Sequence, residues 1–414
     1  MARVRPFRGV RYDPYKVKMA DVVAPPYDII SPELREELLK RSPFNVVRLI
    51  LPEGYRRAAL LWRSWLEEGV LLREDRPCLY VLRDTFSTFG GRRMTRFGLL
   101  AEVRLEPPGE GKVFPHERTF PKVREDRLNL LRATGAQFSP VFGLYEEPEG
   151  EVEGLMKEVQ AEPPLVDYED GGVRRTLWRI PEGPVAFRIS ERLEAPPILI
   201  ADGHHRYETA LAYRKEYGGE GDGHEYVLMY LVDVRSSGLV VLPVHRIVLR
   251  APVEEDEAFA RLGRSFELSP SEDLARLWEE VERDGAFGLY RRGRLYRMRP
   301  MQEAEDALKD LPPFWRRVPA AVLQALALEG ALGITPDMVR SGEHLRFTPD
   351  LWEAMRAVDE GEALMAFIVP PTEIEHVRMV AEAGEVMPHK STYFHPKPPS
   401  GLVMREVRRP PCPR

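Results

Sequence analysis

The run Pro197-Ile-Leu-Ile-Ala201 is short and wholly apolar, with Asp202-Gly203 directly after it, and it constrains the fold more than any other stretch of the chain. Apolar residues without alternation suit a strand buried on both faces. The period then changes at once. From about His204 to Tyr217, the residues Tyr207, Ala210, Leu211 and Tyr213 recur on one side of a helix, and Gly218-Gly219 closes it. A buried strand that turns within two residues into a helix belongs to α/β or α+β architectures, where helices cover a sheet. At such a turn the free backbone N–H groups meet the positive end of the helix dipole, and Gly203 lets a ligand approach the backbone. The first turn of a helix prefers acidic residues, yet this one opens with His204, His205 and Arg206. That mismatch is expected to mark an anion site, because local violations concentrate where function is. The bland alternative is a helix start whose histidines satisfy nearby backbone groups.

The 414 residues are enough for two or three domains at roughly 100–200 residues each. With 43% hydrophobic residues the chain can bury a sizeable core. A net charge of −6 argues against a surface that is one nucleic-acid footprint, since such domains are strongly basic. Two cysteines, Cys78 and Cys412, make neither a disulfide framework nor a thiolate zinc site and fit a reducing compartment. No run of about 18 apolar residues spans a membrane, and the N-terminus carries no apolar signal core, so a cytoplasmic protein is expected. Abundant proline, 38 residues, with little glutamine and cysteine, leans toward a thermophilic source.

Along the chain, Ser31-Pro32 reads as the cap and first position of a helix to about Arg41. Asn45–Leu51 reads as a strand, and Arg57–Glu68 as an amphipathic helix. Cys78–Asp84 and Arg96–Val103 alternate like a long hairpin. Lys122–Thr134 is a basic helix ended by Gly135, and Ser139–Tyr145 a strand. Tyr226–Asp233 and Leu239–Val244 are buried-strand candidates. From Arg250 helices dominate, near 255–262, 271–283, 303–310, 317–329 and 349–357, with strands at 286–290, 295–298 and 363–369. The expected division is a core domain over 1–245 and an α+β domain over 246–414 that contributes a basic loop, 387–401.

Three further blocks carry polar chemistry. Met387-Pro-His-Lys-Ser-Thr-Tyr-Phe-His-Pro-Lys-Pro-Pro-Ser-Gly401 offers Lys390, Ser391, Thr392 and Lys397, a set suited to phosphate oxygens, without Walker-loop spacing. Phe114-Pro-His-Glu-Arg-Thr-Phe-Pro-Lys122 supplies His116 and Glu117 as acid/base groups or metal ligands, or simply a polar cap on the next helix. Ala24-Pro-Pro-Tyr-Asp28 places Asp28 in a rigid turn where it contacts ligand or only shapes the turn. Convergence of His116, His204, His205, His389 and His395 on zinc is disfavoured, since no zinc-site spacing occurs. Mg²⁺ held by Asp202 or Glu117 together with phosphate oxygens is the preferred metal reading.

Taken together, the Val-Ala-Pro-Pro-Tyr-Asp, Phe-Pro-His-Glu-x-Thr, Ala-Asp-Gly-His-His-Arg-Tyr and Met-Pro-x-Lys-Ser-Thr-Tyr-Phe-x-Pro-Lys blocks resemble the domain-of-unknown-function family numbered 1015 over roughly residues 5–405. The Asp-Gly-His-His-Arg206 block also resembles the phosphate motif of the ParB/sulfiredoxin-like fold, which free serine kinases share. That resemblance implies a ParB/sulfiredoxin-like mixed core with large insertions. It implies phosphate contacts from Gly203 through Arg206, with Asp202 as base or metal ligand. The leading expectation is a small-molecule phosphotransferase acting on a hydroxylated metabolite, free serine first, with a nucleotide or pyrophosphate as donor. The alternatives are a ParB-like nucleotide- or DNA-binding protein, or a phosphatase or hydrolase with His204 or His205 as nucleophile. Specific DNA binding is disfavoured by the charge and by the lack of a readable helix-turn-helix.

Overall fold

A computed structural model describes residues 4–88, 91–117, 119–218, 223–309, 311–388 and 390–407. The chain divides into two compact units, Met1–Val240 with Pro396–Arg414, and Val241–His395. Both are mixtures of helix and strand, so the α/β class read from the sequence holds.

The first unit is built on a mixed sheet. In spatial order its strands are Val113–Phe114, Ile198–Asp202, Val141–Tyr145, Tyr226–Asp233, Arg93–Arg104, Cys78–Ser87, Val173–Pro181 and Val166–Asp170, and Val4–Arg5 pairs with Arg93–Arg104 off this path. Ile198–Asp202 lies parallel to Val113–Phe114 and antiparallel to Val141–Tyr145. Its residues Ile198 to Ala201 are all buried, as a strand covered on both faces requires. The helix His204–Tyr217 follows directly and packs on the helix Pro121–Thr134. Tyr207 and Ala210 from that helix join Ile198, Ile200, Leu99, Met229 and Leu231 in one core cluster. Each such large apolar side chain contributes about 1.5–3 kcal/mol by leaving water. Tyr207 also clamps Glu106, donating to its carbonyl at 2.8 Å and accepting from its N–H at 2.9 Å.

A smaller antiparallel sheet in the same unit orders Leu71–Arg73, Gly9–Tyr12, Met404–Glu406 and Ala136–Gln137. It corrects the expected domain limits. The chain leaves the first unit after Val240, and residues 396–407 return to it because Met404–Glu406 fills a slot between two strands from the N-terminal region. The second unit carries an antiparallel sheet in the order Phe266–Ser271, Arg294–Pro300, Phe287–Arg291, Met365–Ile368, His245–Val248 and Leu345–Thr348.

Most predicted elements are present. Asn45–Leu51 is not a strand: Asn45 accepts the Val47 N–H at 2.9 Å and donates to the carbonyl of Asp21 at 2.8 Å, and this local bonding winds Val47–Ile50 into a helical turn. The expected helix at 317–329 is α only over Pro319–Leu323 and widens to a π-helix over Gln324–Ala331. The strand expected at 239–244 is confined to Val240–Leu242, and a second strand begins at His245.

Candidate functional site

The site grows from the turn at Gly203, whose φ of 91° puts it in the left-handed region that glycine alone enters freely. The turn aims Asp202 back across the start of the helix. Arg206, one turn on, donates to Asp202 Oδ2 at 2.5 Å and also to the Pro140 carbonyl. Its guanidinium lies over Gly203, so a Cβ there would meet it at 2.9 Å. From the far end of the chain, Lys397 donates from one ammonium to Asp202 Oδ1 at 2.5 Å and to Asp28 Oδ2 at 2.9 Å. Three segments with no sequence proximity thus make one run of alternating charge, Asp28–Lys397–Asp202–Arg206. Asp28, Lys397 and Arg206, expected from the sequence as ligand contacts, are brought together with Asp202, expected as base or metal ligand.

The electrostatics follow from this pairing. Burial alone would raise the Asp202 carboxyl, but Lys397 and Arg206 override it and hold the group well below the usual carboxylate range. Burial likewise opposes charge on Lys397, and Asp202 with Asp28 reverses that, so the ammonium titrates well above its ordinary range. An unliganded Asp202 is therefore a firmly ionised acceptor and a weak proton acceptor in the general-base sense.

The histidines do something other than what their charge suggested. His204 is buried and accepts the His116 backbone N–H on Nε2 at 3.2 Å, and its Nδ1 lies 3.7 Å from Glu117 Oε2. His205 accepts the Phe120 N–H on Nε2 at 3.0 Å and stacks on the Phe120 ring. The His116 and His204 rings meet edge to face with centroids 4.6 Å apart. The two helix-opening histidines thus hold His116 and Phe120 against the start of the helix. Burial holds His204 well below the ordinary imidazole range and pushes His116 down to about 4, so neither carries charge at neutral pH. The expected clash of three cations with the helix dipole is resolved: one imidazole is buried neutral, and the guanidinium is neutralised by Asp202.

These histidines set a pH dependence. Their folded pKa values are depressed, so their contribution is complete above about pH 6.5 and is lost as pH falls below it, for His116 toward about 4. Each depressed imidazole adds a slope of about 1.4 kcal/mol per pH unit in that window. The variant His204→Gln keeps an acceptor near the Nε2 position and removes one titration. Thermal melts from pH 7 to 5 should fall less steeply for the variant than for the parent, and equal slopes would remove His204 from this role.

Next to Arg206 lies a cavity of about 60 Å³, lined on its polar side by Tyr27, Arg127, Gln137, Ser139, Arg206 and Thr209. Arg127 sits over the Tyr27 ring at 4.4 Å and donates to the Ile50 carbonyl at 2.5 Å. Tyr27 and Arg127 were not assigned roles from sequence, although both fall within or beside the blocks singled out there.

Among the described residues, no three of His, Cys, Asp and Glu gather as metal ligands. The two carboxylates that converge, Asp28 and Asp202, do so on the Lys397 ammonium, which stands where a cation would, while Glu117 faces His204 instead. The donor set does not make a resident magnesium site of Asp202 and Glu117. Lys390, Ser391 and Thr392 belong to the second unit, with Ser391 and Thr392 buried, because the division between units falls inside the 387–401 loop. His389 and Cys412 lie outside the described residues.

Residues 4–321 match the family described as a protein of unknown function, DUF1015. No curated protein matches the chain. Among solved structures, a conserved hypothetical protein from Pyrococcus furiosus is 17% identical over 72% of this chain and 92% of its own, with a TM-score of 0.36. A free serine kinase in complex with AMP is 18% identical over 68% of this chain and 83% of its own, at 0.35. SbnI from Staphylococcus aureus is 11% identical over 74% and 81%, at 0.35. Similarity at this level fixes neither activity nor substrate.

Proposed function

Because the chain belongs to the DUF1015 family, whose description assigns no activity, we propose from the site itself that it is a small-molecule phosphotransferase acting on a hydroxylated metabolite, with free serine the first candidate. The observation that carries this reading is the run Asp28–Lys397–Asp202–Arg206. Phosphoryl transfer needs positioned positive charge for the phosphate and a carboxylate for the hydroxyl proton, and little else. Lys397 and Arg206 supply the charge. A donor phosphate that recruits both cations draws them off Asp202, and the carboxyl then rises toward the range in which it accepts a proton from the attacking hydroxyl. The base is in this way silent until the donor is seated. The cavity beside Arg206 has room for part of a small metabolite. A nucleotide or pyrophosphate serves as donor, and Mg²⁺ enters with the donor's phosphates as part of that substrate.

The test incubates the protein with serine and ATP, ADP or pyrophosphate in turn and measures phosphoserine, then runs the reverse reaction. Asp202→Asn should abolish turnover while donor binding persists, since a base acts in the transition state. Turnover with another hydroxylated acceptor would discard serine alone. Absence of turnover with every donor, together with salt-resistant binding to one DNA sequence, would replace this reading with the ParB-like one.

A further inference from the structure

The second unit contains a buried arginine that has no counter-ion among the described residues. Arg246 lies on the strand His245–Val248 and is 3% exposed. A guanidinium has five N–H donors. Here one is given to the carbonyl of Val244, and the Phe347 ring lies 5.3 Å from the guanidinium carbon. No carboxylate among the described residues offsets its charge, and burial alone lowers its pKa to about 10. A buried charge that is not compensated costs several kcal/mol, and proteins otherwise pair or remove it. The other buried arginines show the usual solution: Arg96 is paired with Asp84 and Arg405 with Glu102.

The surroundings point to what Arg246 awaits. Its bond to Val244 turns the guanidinium toward the end of the sheet where His245–Val248 begins. At that end His245 Nδ1 accepts the Val369 N–H at 3.2 Å, just after the neighbouring strand Met365–Ile368 finishes. Three residues on, Thr372 donates to the Ser391 carbonyl at 2.8 Å. The strand Tyr393–His395 pairs with Val240–Leu242, which leads directly into Val244 and Arg246. Two independent ties therefore hold the Lys390-Ser391-Thr392 segment to the end of the sheet that Arg246 faces. Lys390 adopts a left-handed φ of 55°, a conformation rare for a residue with a side chain.

We infer that Arg246, with the Lys390–Thr392 segment, forms a phosphoryl-binding centre in the second unit, separate from Asp202 and Arg206. A planar guanidinium with unused donors and a lysine match the tetrahedral oxygens of a phosphoryl group. The strand carried a sequence signal: a polar pair, His245-Arg246, interrupts the apolar run Val244, Ile247, Val248.

Calorimetric titration with inorganic phosphate tests this on the whole chain. Arg246→Met should weaken the phosphate isotherm at least about tenfold, the loss of one charge-assisted contact. It should also raise the melting temperature without phosphate, because the uncompensated charge is gone. An unchanged isotherm in a folded Arg246→Met protein overturns the inference. If that variant does not fold, Arg246→Lys, which keeps the charge and loses the fork, should still weaken phosphate severalfold, and unchanged affinity there overturns it equally. Lys397→Met in the same titration separates the two centres. Loss of phosphate binding in Lys397→Met with none in Arg246→Met rejects this centre and leaves the proposed function standing, and the opposite pattern does the reverse.

Discussion

Replacing Lys397 by methionine should cost about 3–5 kcal/mol of stability at neutral pH and abolish any phosphate-dependent activity of the first unit. Lys397 is 8% exposed at its side chain, and its ammonium is shared by Asp202 and Asp28. Methionine keeps the stem's packing and removes the charge, so the loss measures a carboxylate left buried on Arg206 alone. Asp28, about a third exposed, is hydrated and adds little. The sign of the pH dependence distinguishes this from a packing defect. In the parent, the depressed carboxyl of Asp202 contributes fully above about pH 4 and is lost only below it. In the variant the same carboxyl moves up, so protonation relieves the buried charge as pH falls from 7 to 5. The gap in melting temperature between parent and variant should narrow over that interval. A constant gap would show that the ammonium's charge is not what the site uses.

The second large effect is expected at Arg96. Its guanidinium is fully buried, donates to Asp84 Oδ2 at 2.7 Å, and lies 5.2 Å and 5.5 Å from the ring centroids of Phe142 and Tyr230. Tyr230 donates its hydroxyl to the same carboxylate oxygen at 3.2 Å. Arg96→Met leaves Asp84 in the middle of the main sheet with only the more distant Arg175, whose Nε lies 3.7 Å from Oδ1, and should destabilise the protein by about 3–5 kcal/mol. Removing both charges in Asp84→Asn, Arg96→Met should recover part of that loss, because the penalty lies in the poorly paired carboxylate more than in the lost attraction, while Arg175 keeps its bond to the Asp170 carbonyl. A double variant no more stable than the single would contradict this. Arg96 also donates to the Pro396 carbonyl at 2.5 Å, and Pro396 precedes Lys397. Below its melting temperature the single variant should therefore also bind phosphate more weakly, since the segment that presents Lys397 has lost its anchor.

The turn at Asp202-Gly203 and the helix after it were legible in the sequence because strand period, glycine and helix period follow one another without a gap. The four blocks also identified Asp28, Asp202, Arg206 and Lys397 before their meeting was visible. What sequence could not supply was protonation. His204 and His205 look cationic in the sequence, and only the tertiary contact with the 116–120 segment turns their ring nitrogens into acceptors. The hairpin Val166–Asp170 and Val173–Pro181 went unread although Gly171-Gly172, both left-handed, is a strong turn signal. Its arginines and acids mask the alternation, since at the sheet's edge Arg174 pairs with Asp167 in solvent. The buried Arg96–Asp84 pair was hidden for a related reason: a charged residue inside a strand reads as solvent-facing until its partner across the sheet is known. The domain limit failed because pairing of Met404–Glu406 with Gly9–Tyr12 spans nearly the whole chain, a separation no local pattern records.

The return of the final segment has a consequence for how the protein is made. Lys397 follows Asp202 by 195 residues. At a translation rate of about 5–20 residues per second, Asp202 waits roughly 10–40 s on the ribosome before its ammonium partner emerges. Throughout that interval the nascent first unit has its helix turn and Arg206 but neither Lys397 nor the strand Met404–Glu406. The site is thus born incomplete, and the inserted second unit acts as a timer. A chain interrupted between residues 206 and 397 carries Asp202 on Arg206 alone and a gap in its smaller sheet, which exposes it to proteolysis before it can act.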